Sequence, residues 1–119
     1  MAGTKNGNIF VIKKNSKEVV NSIDMKTQYK MTDVKSEDPG VRAISIFENK
    51  MVVGTLGAEI YEFKFRDLEK DNKLGDGRNI LKCHYSPNKS WTNEVWGLHV
   101  HQDYIFTCSD DATVRCWSI

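Results

Sequence analysis

Hydrophobic residues recur along the chain in short runs separated by polar pairs, a pattern typical of β-strands joined by tight turns. The runs are rich in Val, Ile, Phe, Tyr, Trp and Thr, and breaks such as Glu48-Asn49 and Gln102-Asp103 have the length of hairpin turns. Two further strands are predicted at 18–23 and 80–84, whereas the charged segment 25–38 is predicted to be a loop. The six main strands are predicted at 41–46, 51–54, 59–65, 95–100, 104–108 and 113–119.

The same order of apolar and polar positions occurs three times in the chain. Residues 41–65 align with residues 95–119 at a shift of 54 (95 − 41 = 54) without a gap, and their apolar positions coincide although identities are rare. A shorter copy, residues 3–14, aligns with residues 54–65 and shares Gly-Thr and an isoleucine at matching places. An internal repeat of this kind indicates one structural unit used several times.

Each full unit is predicted to be an antiparallel meander of four strands. Several strands are apolar at consecutive positions, as in 51–53 and 104–106, so we expect both faces of each small sheet to be covered. Small sheets stacked face to face are the architecture of a β-propeller. The prediction is an all-β, incomplete propeller of about two blades. In it, 1–24 forms the last two strands of one blade, 41–84 a complete blade and 95–119 three strands of another.

The C-terminal copy, "YIFTCSDDATVRCWSI", resembles a WD repeat. A strand carries a hydroxyl residue near its end, an aspartate follows four residues later, and a tryptophan follows six residues after that. The resemblance implies a structural hydrogen-bond chain that includes a histidine ahead of the first strand: the carboxylate and the hydroxyl bond to the imidazole, and the indole N–H ends the chain. The residues that match these roles are His84, Thr107, Asp111 and Trp117. Such a chain satisfies four polar groups that would otherwise be buried unpaired.

Three stretches of the sequence make the resemblance more specific than WD-repeat proteins in general. "VRAISIF", followed by "MVVGTLGAEIYEF", and then "NEVWGLHVH" are similar to repeats of the echinoderm microtubule-associated-protein-like (EMAP-like) family. The proline that follows the histidine in that family is absent after His101. The resemblance covers residues 41–119 and implies tandem propellers that act as scaffolds on microtubules or tubulin, without catalysis or a cofactor. The alternative is a general WD-repeat adaptor subunit of another protein complex.

Charge and cysteine content restrict the partners to consider. Seventeen Lys and Arg stand against sixteen Asp and Glu, so the chain lacks the basic character that nucleic acids and anionic membranes attract. No apolar run approaches the roughly 20 residues of a membrane span, and the N-terminus lacks the features of a signal peptide. Three cysteines do not suggest a secreted disulfide framework. We expect a cytoplasmic, cytoskeleton-associated protein that binds neither nucleic acid nor membrane.

The candidate catalytic and metal-binding residues have simpler structural explanations. Three aspartates that could serve as acid–base groups fall at predicted hairpin turns, where aspartate is favoured because it bonds the local backbone. They are Asp103, Asp110 and Asp111. His99 and His101 share one face of a predicted strand and could approach Cys83 and His84, but no close ligand pair of zinc-site spacing is present. We therefore expect neither catalysis nor a metal site.

Loops predicted at one end of the sheets carry basic and aromatic residues. The loops 25–40 and 85–93 and the turns 55–58 and 109–112 are expected to emerge together, where a rigid propeller presents binding residues. Basic and aromatic side chains suit an acidic partner such as tubulin. The alternatives are solvated loop residues or contacts to further blades. The candidate partner-binding residues are Lys26, Tyr29, Lys30, Lys35, Arg42, Lys89 and Trp91.

The last predicted strand, 113–119, ends the sequence where the repeat would continue into an outer strand. A propeller closes with about 4–8 blades, which is more than these repeats supply. We therefore expect a fragment of a longer protein, or a chain that completes its ring with other chains. Unpaired edges and apolar faces of the terminal blades are expected to cause self-association.

Overall fold

A computed structural model of the chain describes residues 1–30, 39–65, 77–85 and 93–118, which form ten strands and one short helix. All eight predicted strands are present, with bounds within two residues of those predicted. In chain order the elements are β1 (Ala2–Gly3), β2 (Asn8–Ile12), β3 (Val19–Asp24), α1 (Met25–Lys30), β4 (Val41–Phe47), β5 (Lys50–Thr55), β6 (Glu59–Lys64), β7 (Arg78–Lys82), β8 (Val95–His101), β9 (Tyr104–Ser109) and β10 (Val114–Ser118).

The strands form three antiparallel sheets. The N-terminal sheet contains β1, β2 and β3, the middle sheet β4 to β7 in sequential order, and the C-terminal sheet β8, β9 and β10. The all-β meander prediction is therefore confirmed. The N-terminal sheet holds one more strand than the two expected within residues 1–24, because the two-residue β1 pairs with β2.

The repeat is visible in the backbone of the turns. Gly7, Ala58 and Ala112 occupy equivalent positions of the three repeats, and all have left-handed φ angles, of 87°, 64° and 60°. In each turn the amide of this residue donates to the carbonyl three residues earlier, at 3.1, 3.2 and 3.1 Å respectively. Alanine rarely adopts this region, whereas glycine does so readily. One turn geometry is thus kept in all three sheets although the sequence at the turn differs.

The middle sheet is buried on both faces. Met51 and Val53 of β5 pack into a cluster shared with the N-terminal sheet, whereas Val52 and Ile60 pack into a second cluster shared with the C-terminal sheet. All four side chains are fully buried, and burial of each contributes about 1.5–3 kcal/mol. The prediction that consecutive apolar residues face two different neighbours is confirmed.

Glycines at equivalent positions allow the sheets to approach each other closely. Gly3 of the N-terminal sheet lies against Val41 of the middle sheet, and Gly54 of the middle sheet lies against Val95 of the C-terminal sheet. A Cβ atom on Gly54 would come within 2.6 Å of Cγ1 of Val95, closer than real Cβ contacts. Val41 and Val95 are themselves equivalent in the repeat, so the two contacts have the same construction.

The loop prediction for 25–38 is wrong over its first six residues, which form α1. Asp24 caps this helix, because its Oδ1 accepts a hydrogen bond from the Lys26 amide at 2.9 Å. The Met25 side chain is fully buried in the cluster between the N-terminal and middle sheets. The helix cap at Asp24 and the buried Met25 side chain thus stabilise a helix in a segment whose polar composition favours a loop. No helix within the described ranges has the length and apolar character to cross a membrane.

Candidate functional site

The strands β4 and β8 each contain an extra residue near the point where they begin. The pairing of β4 with β5 passes over Arg42, and the pairing of β8 with β9 passes over Trp96. These residues are equivalent in the repeat, since 96 − 42 = 54. Each is therefore the extra residue of a β-bulge, a feature that redirects a side chain away from the regular alternation.

The two bulge residues meet on the surface where the middle and C-terminal sheets lie side by side. The Arg42 guanidinium carbon lies 4.6 Å from the centroid of the Trp96 ring, within cation–π range. Arg42 Nε donates to Glu94 Oε2 at 2.5 Å, and Trp96 Nε1 donates to Asp110 Oδ1 at 2.5 Å. We call these four residues the Arg42–Trp96 cluster. It holds the Trp96 side chain in place although this residue is 52% exposed.

A second cluster of polar residues surrounds Asp111, which follows Asp110 in the turn between β9 and β10. His84 is fully buried; its Nδ1 lies 2.9 Å from Asp111 Oδ2 and its Nε2 lies 2.8 Å from Thr107 Oγ1. Trp117 Nε1 donates to the same Thr107 oxygen at 3.0 Å. Each group can then donate to the next in one continuous chain: Trp117 donates to Thr107, Thr107 donates to His84 Nε2, and His84 Nδ1 donates to Asp111. The structure brings together all four residues that the WD-repeat resemblance proposes.

Two residues that the sequence analysis missed complete this network. Thr113 Oγ1 donates to Asp111 Oδ1 at 2.6 Å, and Arg115 donates from one terminal nitrogen to Asp111 Oδ2 at 3.1 Å. The other terminal nitrogen of Arg115 donates to the Cys83 carbonyl at 2.9 Å. A signal for both was present, because alternation along a strand puts residues 113, 115 and 117 on one face.

The hydrogen bonds of the network control the ionisation of Asp111. Burial alone would raise the pKa of this carboxyl, but hydrogen bonds from Thr113 and His84 outweigh burial and lower the pKa to about 2. The Cys83 thiol shows the opposite case, since burial raises its pKa to about 12. Asp111 is therefore a fixed negative charge at neutral pH, and Cys83 is an unreactive buried thiol.

Acid is expected to remove the stabilisation that comes from Asp111. Its pKa is about 2 in the folded chain and about 3.9 when unfolded, so the contribution is present above about pH 5 and is lost as pH falls toward 2. Urea unfolding at pH 6 and at pH 2.5 measures this loss. Wild type should lose about 2 kcal/mol more than Asp111→Asn, whose side chain does not ionise. Equal losses in the two proteins would contradict the assignment.

The predicted partner-binding residues have different positions. Arg42 belongs to the Arg42–Trp96 cluster, where Glu94 pairs its charge, and Lys26 is exposed on α1. Tyr29 and Lys30 are the last residues of α1. The remaining three, Lys35, Lys89 and Trp91, lie outside the described residues. Within the described ranges, no group of three or more His, Cys, Asp or Glu residues is arranged to hold a metal ion.

Trp96 is the surface residue that the sequence analysis missed. Strand alternation groups it with Leu98 and Val100, which pack toward the middle sheet, and so predicts a buried side chain. The bulge reverses this orientation. The repeat alignment was the one available signal, because it pairs Trp96 with Arg42, and a charged residue at an equivalent position favours an exposed site.

The fold is an incomplete β-propeller of about two to three blades, which is open over the described residues. It consists of three stacked meanders and contains the buried hydrogen-bond chain of His84, Asp111, Thr107 and Trp117. Sqt1 of Saccharomyces cerevisiae, a WD-repeat protein, has a similar structure, with a TM-score of 0.61 and 16% identity over 98% of this chain. The computationally designed proteins Ika8 and Ika4 give TM-scores of 0.59 and 0.58 at 17% and 16% identity, each over 98% of this chain.

The chain spans only part of each of these structures: 26% of Sqt1, 29% of Ika8 and 57% of Ika4. No protein-family model matches the sequence. At these identities the similarity establishes the fold alone. The resemblance to WD-repeat propellers is thus supported at the level of the fold, and these structures provide nothing specific to the EMAP-like family.

Proposed function

We propose that the chain is a non-catalytic scaffold for protein–protein interaction and that a partner binds at the Arg42–Trp96 cluster. One observation carries the proposal: Trp96 is 52% exposed, yet Arg42 and Asp110 fix it from two sides. Tryptophan and arginine are the residue types most enriched at the energetic centres of protein interfaces. A side chain that is already ordered loses less conformational entropy when a partner binds.

The finer proposal is that the partner is tubulin or the microtubule, as the EMAP-like resemblance implies. An acidic surface would approach the exposed Lys26, while an apolar side chain would pack on Trp96. Arg42 would contribute to binding through the planar surface of its guanidinium more than through its charge, because Glu94 neutralises that charge. This neutralisation favours the second candidate, a general adaptor whose partner offers an apolar or proline residue to Trp96.

Microtubule co-sedimentation tests the finer proposal. Trp96→Ala should raise the dissociation constant for microtubules by about tenfold or more, because it removes the aromatic centre of the surface. Ile46→Ala is the control, since Ile46 is a 46% exposed apolar residue near the opposite end of β4 from Arg42. Its binding should equal that of wild type.

Lys26→Glu separates charge from contact in the same assay. Reversing an exposed lysine should weaken binding most at low salt, where unscreened charges act over longer distances. Absence of binding by wild type would reject the tubulin proposal and leave the general adaptor. Equal binding by wild type, Trp96→Ala and Ile46→Ala would remove the Arg42–Trp96 cluster from the site.

A further inference from the structure

The three sheets present equivalent residues to the sheet that follows each of them in the stack. We call this side of a sheet its forward face and the opposite side its back face. Ile9 in the N-terminal sheet and Ile60 in the middle sheet lie on forward faces and are 0% exposed, because the next sheet covers them. Val114 is their equivalent in the C-terminal sheet and is 79% exposed.

A second position on the forward face behaves in the same way. Val52 of the middle sheet is fully buried against the C-terminal sheet, whereas its equivalent, Phe106, is 41% exposed. Phe106 pairs with Cys116 across the strands, and the neighbouring pair on the same face is Cys108 with Val114. The forward face of the C-terminal sheet is therefore an apolar surface that no described element covers.

The back face of the N-terminal sheet also exposes apolar side chains. Ile12 on this face is equivalent to Phe63 of the middle sheet, which is fully buried against the preceding sheet, but Ile12 itself is 41% exposed. Phe10, on the same face, is equivalent to the fully buried Tyr61. Both interfaces within the chain join a forward face to a back face, so the two exposed faces are of complementary kinds.

The C-terminal sheet also has a pair of small residues at the position where a neighbouring sheet would approach closely. In the middle sheet these small residues are the cross-strand pair of Ala43 and Gly54, and Val95 of the next sheet lies against Gly54. The equivalent pair in the C-terminal sheet is Gly97 and Cys108, which places the glycine on the other strand and keeps both side chains small. A covered face explains this pattern, because an uncovered strand position does not favour glycine.

We propose that the forward face of the C-terminal sheet binds the back face of the N-terminal sheet of a second copy, head to tail. The contact repeats the two sheet–sheet interfaces that already exist in the chain. Two copies supply six sheets (2 × 3), which is within the about 4–8 blades at which a propeller closes. This association involves the faces of the terminal sheets and does not depend on the partner proposed for the Arg42–Trp96 cluster.

Sedimentation velocity and equilibrium of the 119-residue chain test the proposal. Wild type should sediment with twice the mass of one chain. Val114→Glu and Ile12→Lys should each raise the dimer dissociation constant by about tenfold or more, because each places a charge in an apolar contact. Phe106→Lys is a second variant of the same face, used if Val114→Glu does not fold by circular dichroism. Ile46→Glu, at a 46% exposed position of the middle sheet, is the control and should leave the dimer intact.

Mixing the two variants distinguishes a head-to-tail contact from a symmetric one. A Val114→Glu chain and an Ile12→Lys chain can form one wild-type contact and one contact with opposite charges, so the mixture should restore the two-chain mass. Contact between two identical faces would not be restored by this mixture. A wild-type mass of one chain, a dimer that Val114→Glu and Phe106→Lys leave intact, or a mixture that stays dissociated would each overturn the proposal.

Discussion

Replacing His84 with leucine is expected to lower the free energy of unfolding by about 2–4 kcal/mol. The substitution places an apolar side chain of similar size at a fully buried position but removes the hydrogen bonds of the imidazole to Asp111 and to Thr107. Asp111 then remains a buried charge with fewer partners, which costs more than the loss of a solvent-exposed hydrogen bond. Urea unfolding at pH 7, followed by tryptophan fluorescence, measures the change.

A double-mutant cycle shows whether the polar residues act as one chain. Thr107→Val removes only the hydroxyl and leaves both His84 Nε2 and the Trp117 N–H without that partner. The loss in the double variant His84→Leu, Thr107→Val should be smaller than the sum of the single losses, since both break the same bond. His101→Leu, at an exposed histidine, is the control. Additive losses, or a His84→Leu effect within about 0.5 kcal/mol of the control, would contradict the network.

Gly54→Ala is expected to destabilise the chain by about 1–3 kcal/mol by forcing two sheets apart. The new Cβ would lie 2.6 Å from Val95 Cγ1 and 2.8 Å from Val95 Cβ, so Val95 or its strand must move. Alanine normally favours the folded state relative to glycine in a strand, so a loss of stability identifies the steric contact as its cause. Thermal and urea unfolding provide the measurement.

Gly97→Ala is the matched control for this prediction. Its Cβ would meet one atom within 4 Å, the Cys108 Sγ at 2.7 Å, and a cysteine side chain can rotate away. The loss should therefore be smaller than for Gly54→Ala. Val95→Gly removes both Val95 atoms that the new Cβ would meet, Cγ1 and Cβ, so the loss in the double variant Gly54→Ala, Val95→Gly should be smaller than the sum of the single losses. Equal effects at Gly54 and Gly97, measured in the Val114→Glu background so that the proposed contact with a second copy does not contribute, would show that close approach of the sheets within the chain is not the cause.

The strands and their stacking could be predicted because a strand that is buried on both faces has apolar residues at consecutive positions. Met51, Val52 and Val53 are consecutive apolar residues that face alternate neighbours, a pattern that a strand with one wet face does not need. The polar network was found because the spacing of Asp111 and Trp117 resembles a known repeat. Thr113 and Arg115 join it through strand alternation, a rule that the resemblance by itself does not supply.

Local irregularities and distant contacts were beyond the sequence. The bulge at Trp96 reverses the face that alternation predicts, and only the repeat alignment of Trp96 with Arg42 indicated an exposed position. The ion pair joins Arg42 of the middle sheet to Glu94, 52 positions later and directly before the C-terminal sheet, so its neutralising effect depends on the stacking of the two sheets. The cap and buried anchor of α1 each depend on a single residue, Asp24 and Met25, within an otherwise polar segment.

The stacking of consecutive sheets through equivalent glycines can be measured directly by nuclear Overhauser effects on the isotope-labelled chain. We predict cross-peaks between the Gly54 α-protons and the Val95 methyl groups, and equivalent cross-peaks between Gly3 and Val41. Strand-type cross-peaks within each sheet, without either of these contacts between sheets, would contradict the propeller arrangement.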